Sequence, residues 1–195
     1  YRHLMASDLV LVANAADATV STFALDAAGQ RLEPLATSAV GRGCSTFVVD
    51  EERDIVYAAT KGDTDGHGQG VDSFRLDRTT GALTPLGHVD GTGYHYLALA
   101  HGGRVLAGAA YHSGEATTWV LDGEGGISDP VAEVAWRNAH AVATRAAHLY
   151  VVSLGEDLLA QYLLGDDGRL TPLDPPTVPP PPGSGPRPLV IDAAG

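Results

Sequence analysis

The sequence predicts an all-β fold built from repeated strands, and two observations lead to this prediction. A strand end, a polar turn with glycine and a second strand occur four times, with starts 51, 45 and 43 residues apart. No stretch shows the 3.6-residue periodicity with capping residues that marks a helix. Repeats of this length, with only strand and turn signals, predict a β-propeller of four-stranded antiparallel blades. The four copies are Leu25–Leu35, Leu76–Leu86, Leu121–Val131 and Leu164–Leu173.

The first repeat shows the expected order of strands. Four short apolar runs are separated by turn residues, a pattern that predicts strands: Asp8–Asn14, Thr19–Leu25, Arg31–Val40 and Cys44–Val49. The same order recurs along the chain. We therefore expect a single propeller domain over residues 1–195, with repeats at about 8–54, 55–104, 105–148 and 149–195.

Two loops interrupt the repeats. Lys61–Gly70 is long and polar, and Asp174–Gly185 is rich in proline. The apolar run Leu189–Ile191 follows the second loop and predicts one more strand. The last residues have the character of a turn that leads into another strand, so we expect more blades to follow these four repeats. An open blade face is apolar, and further blades or a second copy of the chain would cover it.

Charge and composition exclude several classes of partner. The 195 residues carry a net charge of −12, with a pI near 4.8, which argues against nucleic acid and against anionic membranes. No apolar run reaches the roughly 18 residues of a membrane span. No signal segment is recognisable, and the sequence begins at Tyr1, which leaves a removed leader open; the expected location is cytoplasmic.

No cofactor or metal is predicted. Cys44 is the only cysteine, which excludes an intrachain disulfide and a cysteine-based metal site. Asp63–His67 is similar to a fragment of a calcium loop but lacks the remaining ligands. The sequence also lacks a phosphate-binding P-loop and a dinucleotide fingerprint.

Four stretches carry a resemblance to a known family: Val71–Leu86, Arg104–Trp119, Asn138–Ala143 and Leu170–Ile191. The last is the most specific, because a proline-rich loop is followed by Gly-Ser-Gly-Pro-Arg and an apolar run. Together they resemble the lactonase family of seven-bladed propellers, and the resemblance implies that this chain contains about four of the seven blades. That family includes propeller-type 6-phosphogluconolactonases and carboxy-cis,cis-muconate cyclases.

The resemblance implies a cofactor-free enzyme that hydrolyses a small anionic lactone, or a cyclase that runs the reverse reaction. It implies catalytic roles for His140 and Arg187, with a third, acidic residue beyond Gly195. An imidazole titrates in the range needed for a general base, and a guanidinium binds carboxylate or phosphate. The residues alone favour a hydrogen-bonded strand histidine for His140, and the resemblance brings the two interpretations level. Arg187 could be a surface arginine paired with an acidic residue, but the rigid Gly-Pro approach before it favours a site.

Spacing gives a geometric expectation for this site. His140 and Arg187 are 47 residues apart, about one repeat, so their side chains should face one cleft from adjacent blades. One repeat earlier lies Tyr94-His95-Tyr96, and His95 and Tyr96 are predicted to bind substrate there. Tyr111 either lines the same channel or packs between blades.

Four places depart from the family pattern. Pro188 stands where the family has histidine, Asn138-Ala139 where it often has His-Pro, and Thr60-Lys61 where Asn-Glu is common. At Tyr94-His95-Tyr96 the family usually has Pro-Cys-His, so the histidine here comes one place early, which in a strand is the opposite face. These departures motivate a second hypothesis, in which the chain is a non-catalytic propeller that serves as a binding or scaffold module.

Overall fold

The structure is a computed structural model that describes residues 8–26, 28–29, 31–62 and 68–192. Its strands follow one another along the chain and form four antiparallel sheets, the first with three strands and the others with four. No helix occurs in these residues, and so none that could cross a membrane. The all-β propeller of antiparallel blades predicted from the sequence is confirmed.

The strands are numbered along the chain, and each sheet forms one blade. The first blade contains β1 (Leu9–Asn14), β2 (Thr19–Leu25) and β3 (Leu32–Ala39). The second contains β4 (Thr46–Asp50), β5 (Ile55–Lys61), β6 (Gln69–Leu76) and β7 (Leu83–Asp90). The third contains β8 (Tyr96–Ala100), β9 (Val105–Ala110), β10 (Glu115–Val120) and β11 (Ala132–Ala135). The fourth contains β12 (Ala139–Arg145), β13 (His148–Ser153), β14 (Leu158–Leu164) and β15 (Leu170–Val178).

The first strand of each four-stranded blade is the innermost. Strand β8 contacts both β4 and β12, which places the three strands side by side around a common axis. The second strands are the most buried, and every residue of β9 is inaccessible. The fourth strands lie outside, so that most of β7 is exposed. This gradient follows from stacking small sheets side by side around a centre.

The blades are offset by one strand from the sequence repeats. The run Cys44–Val49 was expected to be the fourth strand of the first repeat. It contains most of β4, which pairs with β5 in the second blade, with Thr46 opposite Ala59. Each repeat therefore contributes strands to two neighbouring blades. The assignment of residues 1–195 to a single domain stays a prediction.

The strand expected at Leu189–Ile191 does not form. These residues have no strand assignment, and Val190 is 93% exposed. By its position the segment corresponds to the innermost strand of a fifth blade. Backbone N–H and C=O groups in a strand need a neighbouring strand to pair with, and the described residues contain none beside this segment.

The fourfold sequence pattern forms contacts between neighbouring blades. The Ser73 hydroxyl in the second blade donates a hydrogen bond to the Gly125 carbonyl in the third, at 2.6 Å. One blade further, the Thr118 hydroxyl donates to the Gly168 carbonyl at 2.7 Å. Both bonds are buried, so each satisfies polar groups that water cannot reach. The repeated turn thus holds each blade against the one before it.

Candidate functional site

Four aromatic rings form a cluster at one end of the third and fourth blades. The Tyr111 ring is central, with its centroid 5.9 Å from His95, 5.2 Å from His112 and 5.8 Å from His140. The centroids of His95 and His112 are 5.2 Å apart. Sequence analysis predicted His95, Tyr111 and His140 as site residues, and the structure brings all three together. His112, which it did not select, completes the cluster.

Strand pairing explains why these rings meet. His95 directly precedes β8 and Tyr111 directly follows β9, and the two strands are antiparallel neighbours. His140 lies near the start of β12, the innermost strand of the next blade. The pairing of β12 with β13 is irregular between Ala139 and Ala141. A bulge of this kind changes the direction in which a side chain points, and here it falls at His140.

His95 is held in one protonation form by its surroundings. The Tyr111 backbone N–H donates to His95 Nδ1 at 3.3 Å, which leaves the ring proton on Nε2. Burial lowers the pKa of His95, and the positive charge of Lys61 lowers this pKa further. His95 is therefore a neutral imidazole near pH 7.

His140 carries an unsatisfied nitrogen. Its Nδ1 is buried and has no hydrogen-bond partner among the described residues. Most buried polar side-chain atoms are hydrogen-bonded, and the exceptions need a specific explanation. A ligand or water that reached Nδ1 would supply the missing partner.

Arg187 follows a loop that the fourth blade holds in place. Both oxygens of the Asp157 carboxylate accept backbone N–H groups of this loop, from Gly183 at 2.5 Å and from Gly185 at 2.9 Å. Arg187 comes two residues later and is exposed. Its guanidinium has no ion pair with any described residue, so it is available to an anionic ligand.

The turn between β13 and β14 links this loop to the rest of the site. Asp157 lies on one side of the turn. On the other side, the Leu154 N–H donates to the Asn138 carbonyl at 3.2 Å, two residues before His140. The Asn138 side chain in turn donates to the Tyr111 carbonyl at 3.3 Å. His140, Tyr111 and the Arg187 loop therefore lie at the same end of the propeller.

Tyr96 is not part of the ring cluster. It packs on the apolar cluster that joins the third and fourth blades, which includes Ala139 and Val142. His95 and Tyr96 are consecutive, and successive side chains of a strand point to opposite faces. Of these two, the structure brings His95 to the rings and places Tyr96 against the core.

No group of three or more histidine, cysteine or acidic side chains in the described residues is arranged to hold a metal ion. The calcium-loop fragment at 63–67 lies outside these residues. The groups described at this end of the propeller are imidazoles, a phenol and one guanidinium. Such groups can transfer protons and bind anions.

Comparison with known families agrees with this architecture. The profile described as "Lactonase, 7-bladed beta-propeller" matches residues 10–195. The chain belongs to this lactonase family of seven-bladed β-propellers.

One curated relative and several solved structures are similar to the chain. The 6-phosphogluconolactonase of Bacillus subtilis (strain 168) is 29% identical over 169 residues, which cover 78% of this chain and 47% of that protein. The periplasmic gluconolactonase PpgL of Pseudomonas aeruginosa superposes with a TM-score of 0.83 at 23% identity, covering 96% of this chain and 58% of that one. A candidate 6-phosphogluconolactonase of Bacteroides fragilis superposes with a TM-score of 0.84 at 19% identity. The match covers 100% of this chain and 61% of that one. The chain thus spans about half the length of the curated relative, and the structural likeness shows the fold.

Proposed function

We propose that this chain is part of a lactonase-type hydrolase that opens a small anionic lactone, or of a cyclase that runs the reverse reaction. One observation carries the proposal. His140, with its unpartnered nitrogen, lies in a ring cluster at the same propeller end as the loop that leads to Arg187. The names of the relatives, 6-phosphogluconolactonase and gluconolactonase, support the same reaction class.

The residues take the following roles. His140 accepts a proton from water, and the water oxygen attacks the lactone carbonyl carbon. The bond between this carbon and the ring oxygen then breaks, and the proton passes from the imidazole to that oxygen, which leaves as a hydroxyl. Arg187 binds the anionic group of the substrate and holds the carbonyl near His140. No cofactor enters this scheme.

Arg187→Ala tests the binding half of the proposal. Because a charge-assisted hydrogen bond would be lost, kcat/KM for an anionic lactone should fall about 10- to 100-fold, mostly through KM. Hydrolysis is followed by pH-stat, since each opened lactone releases an acid. A rate equal to wild type in this variant would refute the assigned role of Arg187.

The second hypothesis is a non-catalytic propeller that binds a partner protein. Pro188, next to Arg187, motivates it, because the family resemblance leads one to expect histidine there. A panel of neutral, phosphorylated and carboxylated lactones separates the two. Hydrolysis of any member above the spontaneous rate favours the enzyme. No hydrolysis of any member, together with tight binding to a protein, favours the module.

A cytoplasmic location is also proposed and can be checked by cell fractionation.

A further inference from the structure

Lys61 occupies in the second blade the position that Tyr111 occupies in the third. Thr46 pairs with Ala59, and Tyr96 pairs with Ala109 at the equivalent point one blade later. Lys61 and Tyr111 each come two residues after these second-strand partners. Equivalent positions of successive blades lie side by side around the axis of a propeller. Lys61 therefore lies next to the ring cluster.

The neighbours of Lys61 agree with this equivalence. Tyr111 contacts His95 of its own blade and His140 of the next. In the same way the Lys61 stem lies between two loops that lead into innermost strands. A β-carbon built on Gly43 would lie 2.9 Å from Lys61 Cβ, and one built on Gly93 would lie 3.5 Å from Lys61 Cγ.

The two glycines allow the stem to run close to both loops. Gly43 and Gly93 each stand three residues before the innermost strand of their blade. The Lys61 N–H also donates to the Arg42 carbonyl at 3.0 Å, which fixes the backbone where the side chain departs. The side chain is half-buried. These contacts restrict the direction of the four-carbon stem. The ammonium at its end can then bind an anion.

The Lys61 ammonium is a positive charge in an acidic chain. Lys61 is the only lysine in a chain of net charge −12. It precedes the ring cluster in blade order, while Arg187 follows that cluster. The anionic group of a small ligand over the rings would thus lie between two cations, Lys61 and Arg187. Such a pair suits a lactone that carries a carboxylate or a phosphate away from its ring carbonyl.

We propose that Lys61 binds the anionic group of the lactone together with Arg187 and determines the preference of the site for charged over neutral lactones. This inference rests on the proposed function and assigns a specificity residue to the same site. The ammonium forms charge-assisted hydrogen bonds with carboxylate or phosphate oxygens and takes no part in proton transfer to the ring oxygen.

The test compares Lys61→Gln with wild type on three lactones in the intact protein. The substrates are gluconolactone, which is neutral, 6-phosphogluconolactone, and muconolactone, which carries a carboxylate. We expect kcat/KM to fall about 10- to 100-fold for the charged lactone that the enzyme prefers, and less than about threefold for gluconolactone. The preferred charged lactone shows whether the site takes phosphate or carboxylate. Lys61→Arg should restore part of the preference.

The control is Arg169→Gln, which removes one positive charge at the opposite end of the fourth blade. An equal loss in this variant would show that net charge, and not Lys61, sets the preference. Equal losses for neutral and charged lactones in Lys61→Gln would overturn the inference while the proposed hydrolase stands.

A binding measurement keeps the inference testable if no lactone is hydrolysed and the proposed function fails. Gluconate 6-phosphate is titrated calorimetrically into wild type and Lys61→Gln. As the only lysine, Lys61 can also be followed by amine-selective labelling and peptide mapping. We expect weaker binding in the variant and slower labelling of wild type with the ligand present. Unchanged affinity and unchanged labelling would refute the role of Lys61.

Discussion

Gly81 of the second blade lies against Leu35 of the first, so closely that a β-carbon on Gly81 would be 2.9 Å from the Leu35 β-carbon. Leu35 ends the first copy of the fourfold pattern, and Gly81 is the turn glycine of the second copy. The same relation recurs between Leu86 and Gly125, where the built β-carbon would lie 2.9 Å from Leu86 Cβ. The repeated pattern therefore records blade contacts as well as hairpin turns.

Gly81→Ala should destabilise the propeller more than Gly29→Ala. Both glycines have positive φ, 74° and 67°, so the backbone strain of an alanine is similar at the two positions. A β-carbon on Gly29 meets nothing within 4 Å, whereas one on Gly81 meets the first blade. We expect an additional loss of about 1–3 kcal/mol in the free energy of unfolding for Gly81→Ala, from denaturant titrations. Equal losses in the two variants would contradict the proposed blade contact.

Cys44 should be inert to thiol reagents in the folded protein. It is fully buried, and burial, together with the charge of Asp72, raises the pKa of its thiol to about 11. The thiolate is the reactive form, so both access and ionisation oppose reaction. Colorimetric titration at about pH 8 should find no reactive thiol in the native protein and one after unfolding. Rapid native labelling would show that the region around Cys44 opens readily.

His95 should make stability depend on pH. Its pKa in the folded protein lies below the ordinary value of 6.5, so the unfolded chain binds this proton first as the pH falls. The contribution of His95 is therefore present above about pH 6.5 and is lost as the pH falls toward the folded pKa. The midpoint of thermal unfolding should drop between about pH 7.5 and 5.5, and should drop less in His95→Gln. The same pH dependence in both proteins would contradict this assignment.

Asp157 should position Arg187 without contacting substrate. Asp157→Ala removes both acceptors of the Gly183 and Gly185 N–H groups, so KM for the anionic lactone should rise about 10-fold. Asp157→Asn keeps one acceptor oxygen, so its KM should lie between the values of wild type and Asp157→Ala. Asp167 is the matched control, because it accepts the Arg169 N–H in a turn at the opposite end. If Asp167→Ala raises KM equally, the effect is general loss of stability.

The sequence predicted the propeller because short apolar runs and glycine turns repeat at a regular spacing. The predicted repeat boundaries differ from the observed blade boundaries by one strand. The repeated pattern marks the hairpin between the third and fourth strands of a blade, and the first strand of the next blade was counted with it. The prediction of a strand at Leu189–Ile191 was wrong, because an apolar run forms a strand only where a neighbouring strand can pair with it.

The ring cluster was predictable only in part. His95 and His140 hold comparable positions near the starts of innermost strands, which repeat spacing can indicate. Finding Lys61 required the pairing register of β4 with β5 and of β8 with β9, which aligns it with Tyr111. Its neighbours Gly43 and Gly93 are distant in sequence, and no local pattern connects them.

The central claim is that His140 performs proton transfer in lactone hydrolysis, and kcat/KM of His140→Ala tests it most directly. The matched control is His148→Ala, at the other end of the same blade, with unfolding midpoints recorded for both variants. We predict that His140→Ala lowers kcat/KM about 10²- to 10⁴-fold, while His148→Ala stays within about threefold of wild type. Wild-type turnover by a folded His140→Ala protein would contradict the claim.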